Sequence, residues 1–290
     1  MDGILIIDKP KDMTSHDVVN IARKSLSTKK IGHTGTLDPN ATGVLVLVVG
    51  KATKLVKYFS NDSKKYLCKF RLGQAYDTDD ITGKLTSESQ VDHLTELEIM
   101  TALKSFLGKQ EQIPPSYSAI KHEGRKLYEL ARKNIMPRQI DARQIEVFSI
   151  DDIQIEFHKN YIDVSALMHV SKGTYIRAIA RDLGEKLNNY GTLVDLRRIS
   201  SNGFKIENSF SIDQLRKGEI EIKDPFDYLP LPKIVVNENI KDYIEHGRFL
   251  DIDMFAEKTD TILMSKSNEV LAIYHYDEQK NQMRMSVKWI

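Results

Sequence analysis

Cysteine is nearly absent: Cys68 stands alone in 290 residues. A single thiol makes no intramolecular disulfide and no cysteine-based zinc site. The H-x-E and C-x-x-C pattern of the zinc deaminases is missing, so chemistry on a base would have to proceed without that metal. Long hydrophobic runs are also absent. Residues 3–7 are apolar, but Asp8, Lys9 and Pro10 cut the run off, far short of a signal peptide or a membrane span. A core strand in a cytoplasmic protein is the expectation. Charge of one sign is not in excess: 42 Lys and Arg against 41 Asp and Glu leave a net +1. No global positive field advertises nucleic acid, so any such surface is a local patch. A phosphate-binding P-loop is excluded because Gly50-Lys51 is followed by Ala52, not Ser or Thr. Neither internal repeats nor low-complexity segments occur, and the length predicts about two domains.

What is present concentrates at 32–43, the run GHTGTLDPNATG. One carboxylate, Asp38, lies among small and turn-forming residues just before the apolar run 44–49. Gly32, Gly35 and Gly43 permit backbone conformations closed to other residues, or close approach by a ligand. Pro39 pushes Asp38 away from the helical region. A fixed loop carrying one acid reads as a site. A glycine-rich turn before a core strand, with Asp38 as an ordinary turn residue, is the alternative from turn chemistry alone.

The rest of the chain predicts an irregular alternation of strands and helices, hence a mixed α+β body. Strands are expected at 3–7, 44–49, 64–72, 144–157 and 161–170. Over 64–72 the alternation places Tyr66, Cys68, Phe70 and Leu72 on one face, with Lys65, Lys69 and Arg71 on the other. Capping-box starts at Thr14 and Thr95 predict helices. A short helix is marked by Ala52, Leu55, Val56 and Phe59, and another by Lys126, Leu127, Tyr128, Leu130 and Ala131. A further helix follows Ser171-Lys172-Gly173-Thr174, with Ile176, Ile179, Ala180, Leu183 and Leu187 as its core stripe. Residues 77–83 read as a solvated polar turn, since calcium-loop spacing is missing. Pro225, Pro230 and Pro232 mark a boundary. Beyond it, 233–290 carries three short strands, the size of a small separate β module.

Two segments, 121–143 and 171–205, each hold seven Lys and Arg against three acids, interleaved with Tyr117, Tyr128 and Tyr175. Phosphates need cations and unstacked bases need π faces, so these are a candidate RNA surface; two solvated faces are the plainer alternative. Arg177 falls in the first turn of its helix, where a cation opposes the helix dipole unless an anion compensates. Asp38 is a candidate partner, and the backbone of 172–175 suits an anion.

The 32–43 run resembles the catalytic motif of the TruB family of tRNA pseudouridine synthases. Five further stretches resemble that family's motifs in order: residues 3–10, Lys65-Tyr66 with Leu72-Gly73 and 77–79, residues 114–121, residues 171–177, and 196–198. Together they cover about 3–205. The tail is only loosely similar to a PUA-type RNA-binding module, through 245–248, and its eight basic against ten acidic residues argue against a large RNA contribution.

The resemblance implies a mainly antiparallel mixed sheet flanked by helices as the catalytic body, residues 1–230, with an RNA-clasping insertion at about 114–142. A PUA-like module at 233–290 follows. It implies isomerisation of uridine 55 in the T-loop of tRNA. The N1–C1′ bond breaks, the uracil turns and C5 takes its place, with no metal and no cofactor. Asp38 would be the essential carboxylate, acting at the sugar, at the base or in proton transfer. Arg177 would pair with it. Tyr66 would lie against the flipped uracil, His33 would fill the gap it leaves, and Tyr175 and Leu196 would line its pocket. Lys9 and Lys172, with the insertion, would grip the RNA backbone. Two rival readings are a nucleic-acid N-glycosylase, against which a single carboxylate weighs, and a tRNA-binding chaperone without catalysis. No paired interface stripe stands out, so a monomer is expected, with tRNA as the partner and no membrane.

Overall fold

A computed structural model describes residues 1–290 apart from 61, 62, 119, 123, 128–134 and 136–139. The predicted 126–131 helix falls mostly outside these described residues. In chain order the elements begin with β1 (Gly3–Lys9), α1 (Ser15–Ser25), β2 (Ile31–His33) and β3 (Thr42–Val49). A 3-10 helix (Gly50–Tyr58), β4 (Lys64–Leu72), β5 (Gln74–Tyr76), β6 (Leu85–Glu88), α2 (Glu96–Lys104) and β7 (Gly108–Gln112) follow. A short hairpin, β8 (Lys121–His122) and β9 (Arg125–Lys126), precedes β10 (Arg143–Phe157), β11 (Ile162–Val170), α3 (Ile176–Lys186), β12 (Gly191–Ser201) and β13 (Phe204–Lys205). The chain then forms α4 (Ile212–Lys217), β14 (Lys233–Val235), α5 (Glu238–Glu245), β15 (Thr261–Met264), β16 (Val270–Asp277) and β17 (Gln282–Lys288). No helix among the described residues is long and apolar enough to cross a membrane.

The body is a mixed sheet in the order β1-β3-β12-β4-β11-β10-β7, with β2 and β13 pairing at β3 and β12. Every pairing along it is antiparallel except β12 with β3. The two ends of the sheet differ because their sequences differ. β1 and β3 are apolar without alternation, and both of their faces are covered. Leu5, Ile7, Leu45 and Leu47 pack with Val18, Val19 and Ala22 of α1 and with Ile212 and Leu215 of α4. Ile4, Ile6, Val44 and Val46 pack on the other side with Leu55, Phe204, Phe226 and three residues of the tail, Ile262, Ile273 and Val287. β4 alternates instead, and buries Tyr66, Cys68, Phe70 and Leu72 under α2 and α3.

The tail forms its own four-stranded sheet, β14-β15-β16-β17, a small C-terminal β-rich, PUA-like module. It is less separate than the sequence predicts. Besides the shared apolar core, Phe226 stacks edge-on against Trp289. Lys51, Lys54 and Lys57, spaced by the three-residue turn of the 3-10 helix, donate to Trp289 O, Lys288 O and Ser286 Oγ.

Strand β12 lies inside the sheet, between β3 and β4, although its sequence reads as a basic segment. The 77–83 turn is also not a free solvated loop. Asp80 is buried and accepts from the backbone and hydroxyl of Thr82, while Ile81 N donates to Leu193 O of β12 and Leu193 N donates back to Asp79 O. Pairing with β12 turns this segment inward, toward the 32–43 loop.

Candidate active site

The 32–43 loop is held from three sides by groups far away in sequence. Ser15, the first residue of α1, accepts from Leu37 N at 2.9 Å and donates to Leu37 O at 3.1 Å. Lys9, at the end of β1, is fully buried and donates to Pro39 O, Pro10 O and Met13 O at 3.2, 2.9 and 2.7 Å. Arg198, buried on β12, donates to Val44 O, Thr36 O and Gly35 O at 2.7, 3.3 and 3.1 Å. Two buried cations thus face a ring of inward-turned carbonyls, which satisfy charges that would otherwise be costly to bury. Residues 38–41 then close a turn, Ala41 N to Asp38 O at 3.1 Å, with Pro39 at its second position.

Of the three glycines, only Gly43 needs to be one. Its φ is +102°, and an added Cβ would lie 2.2 Å from Arg198 O, where β3 and β12 run parallel. At Gly32 and Gly35 a Cβ would meet neighbours no closer than 3.7 Å, and neither residue has positive φ.

Asp38 meets Arg177. The guanidinium donates through Nε to Oδ2 at 2.9 Å and through Nη2 to Oδ1 at 3.3 Å. The Arg177 side chain is 7% exposed and that of Asp38 41%, so the pair points its carboxylate outward from a buried base. This carboxylate supplies the anion that a cation in the first turn of α3 requires. Arg177 is fixed further by Thr78 O at 3.2 Å and Tyr117 O at 3.0 Å. The pair sits in a cleft of about 810 Å³. Tyr66 and Leu196 line it from the sheet: Tyr66 pairs with Arg198 and Leu196 with Cys68 across β4 and β12, on one face. Tyr175 lines it from the start of α3, where Gln112 grips both its N–H (2.9 Å) and its carbonyl (3.1 Å). Burial raises the Tyr175 phenol above its ordinary pKa. Lys172 and Lys64 also border the cleft.

Two sequence-predicted residues fall elsewhere. Lys9 does not reach the cleft surface; it serves the loop from below, so its expected grip on RNA is corrected to a structural hold on Pro39. Burial lowers its pKa to about 8; Asp38 opposes that shift and Arg198 adds to it. His33 ends β2 outside the cleft lining; burial, then Arg198 and His16, depress its pKa.

The second basic segment also needs correction. Arg177 is spent on Asp38, Arg181 on Asp79 and Asp182, Arg197 on Asp8 at 2.8 Å, and Arg198 on carbonyls. None is left as a free face for phosphate. A smaller cleft of about 400 Å³ beside Asp8 and Arg197 has its charges matched in the same way, Arg216 lying 3.4 Å from Asp213. Sequence reasoning missed Ser15, Gln112 and the inward role of Arg198. Ser15 reads as part of a helix cap, and nothing in the pattern around Gln112 marks a buried glutamine.

Comparison with known proteins matches residues 23–176 to the N-terminal domain of the TruB family pseudouridylate synthases. The chain is 41% identical to tRNA pseudouridine synthase B of Clostridium perfringens over 90% of its own length and 88% of that protein's. It is 38% identical to tRNA pseudouridine synthase B of Acholeplasma laidlawii, over 98% and 99%. Among solved structures, a chain of a Cbf5-Nop10-Gar1 complex superposes with a TM-score of 0.69 at 24% identity, covering 99% of this chain and 84% of that one.

Proposed function

The chain belongs to the TruB family of pseudouridylate synthases and pseudouridylates tRNA, and from that premise we propose that its target is uridine 55 of the T-loop and that Asp38 is the essential carboxylate. The observation that carries this reading is the two-bonded Asp38–Arg177 pair in a cleft walled by Tyr66, Tyr175 and Leu196.

The reaction is an isomerisation. The N1–C1′ bond breaks, C5–C1′ forms, C5 gives up its hydrogen and N1 gains one, so no oxidant or group donor enters the balance. What the site must supply is access and placement. A uridine in a folded loop has to leave its stack, at a cost of a few kcal/mol that RNA contacts offset. An aromatic and aliphatic wall suits the flat uracil, with Tyr66 and Tyr175 as its π faces and Leu196 as its floor. Arg177 holds both carboxylate oxygens from one side, so Asp38 approaches the substrate in one orientation. His33 is assigned to the place the flipped base vacates. Lys172, with the 114–142 insertion, is assigned to phosphates.

Residues 1–230 form the catalytic unit in this reading and 233–290 the PUA-like one. With the arginines of 171–205 engaged internally, the RNA surface falls to the cleft rim and the insertion.

The test uses unmodified tRNA transcripts, one with uridine 55 replaced by cytidine, and nucleoside mass spectrometry. The expected product is about one pseudouridine per tRNA, absent from the cytidine transcript and absent with Asp38→Ala, whose tRNA affinity stays within about tenfold, or 1.4 kcal/mol. Release of free uracil would instead support an N-glycosylase. Binding without product would support a chaperone.

A further inference from the structure

We propose that Arg181 is a positioning residue for the Asp38–Arg177 pair, forming with Asp79 a second rung one helical turn below it; this rests on the catalytic reading of that pair. Arg177 and Arg181 are four residues apart on α3 and so lie on one face. Each reaches the same two segments. Arg177 donates to Thr78 O and Tyr117 O. Arg181 donates to Asp79 Oδ2 at 3.2 Å and to Ile113 O at 3.0 Å. The carbonyl that holds Arg177 therefore belongs to the residue next to the carboxylate that holds Arg181. Likewise both guanidiniums brace the 113–117 stretch at the start of the insertion.

The lower rung is built for rigidity. Arg181 also donates twice to Asp182 Oδ1, from Nε at 2.9 Å and Nη2 at 2.7 Å, which fixes the guanidinium plane. Its side chain and those of Asp79 and Asp182 are only 26%, 19% and 26% exposed. Asp79 adopts φ +56° and bonds through its carbonyl to Leu193 N of β12, so the Arg181 contact pins a residue already turned out of the extended backbone. Burial raises the Asp79 carboxyl above its ordinary pKa while Arg181, and after it Arg177, lower it; removing Arg181 takes away the guanidinium that both Asp79 and Asp182 bond. The 77–83 segment would then shift, carrying Thr78 O away from Arg177 and loosening the orientation of Asp38.

The experiment has two arms. In the first, full-length enzyme in excess over tRNA carrying [5-³H]uridine is followed for single-turnover tritium release, with tRNA Kd measured by filter binding. Arg181→Met is expected to lower the rate constant at least about tenfold while Kd stays within about threefold, because orientation and not RNA contact is lost. Arg181→Lys is expected to recover part of the rate. Asp79→Asn is expected to lose less than Arg181→Met, and the double variant to be no slower than Arg181→Met alone. A rate within about twofold of the parent, or a loss confined to Kd, overturns the proposal.

The second arm needs no turnover. The Arg177 Nε–H signal, assigned by its loss in Arg177→Lys, is followed for exchange with water. Exchange at least about tenfold faster in Arg181→Met is expected, and faster exchange also in Asp79→Asn, which keeps Arg181 paired with Asp182 should the first variant not fold. Unchanged exchange overturns the coupling. If the parent enzyme releases no tritium, the functional reading fails, and the exchange arm still decides whether the two rungs are linked.

Discussion

At the scale of single residues, the cations that hold the 32–43 loop, Lys9, Arg177 and Arg198, are used inward. Arg177 could be read from sequence as a cation in an unfavourable place, the first turn of a helix, and the structure supplies the missing anion in Asp38. Lys9 could not be read in that way. A lysine after an apolar strand looks like any surface lysine, and only the fold shows its ammonium among three carbonyls. Its burial has a consequence for pH. The folded pKa of about 8 lies below the ordinary 10.5, so between those values the unfolded chain binds a proton that the folded chain does not. Stability from Lys9 therefore rises with pH through that window and is at its least below about 8. Urea unfolding of the parent and of Lys9→Met at pH 7.5 to 10 should show the parent gaining on the variant as pH rises. A difference that stays flat would place the lysine's pKa near its ordinary value.

At the scale of elements, periodicity made most strands legible. The apolar runs of β1 and β3 and the alternation of β4 and β11 all sit where their patterns place them. β12 was hidden. Its 196–198 stretch reads as basic, because sequence cannot say that Arg197 folds onto Asp8 and Arg198 under the loop. The same strand explains why one glycine of the loop matters more than the others. Gly43→Ala forces a Cβ into Arg198 O at the β3–β12 contact, in a left-handed backbone. It should cost about 2 kcal/mol or more in unfolding free energy, whereas Gly35→Ala should change it by less than about 1 kcal/mol. Chemical denaturation of both variants checks this; equal effects would mean that β3 and β12 do not hold the loop from below.

At the scale of the whole molecule, the tail's three late strands were legible, but its docking was not. An uninterrupted apolar strand says that both faces are covered without saying by what. Here the second face of β1 and β3 shares one apolar cluster with Leu55, Phe204 and Phe226 and with Ile262, Ile273 and Val287 of the tail. The tail is thus part of the body's core. Ile273→Ala should destabilise the whole chain by about 2–5 kcal/mol and keep a single unfolding transition. Two separate transitions in calorimetry, with only one moved by the substitution, would contradict a shared core.

On the proposed reading, Asp38, held by Arg177, performs an isomerisation in which C5 of one uridine loses its hydrogen. Tritium release from tRNA labelled at C5 of uridine, with no metal or cofactor added, tests it most directly. The parent enzyme is expected to release tritium equal to about one uridine per tRNA, and Asp38→Asn none, although that variant still binds tRNA. Release by Asp38→Asn at the parent's rate would contradict it.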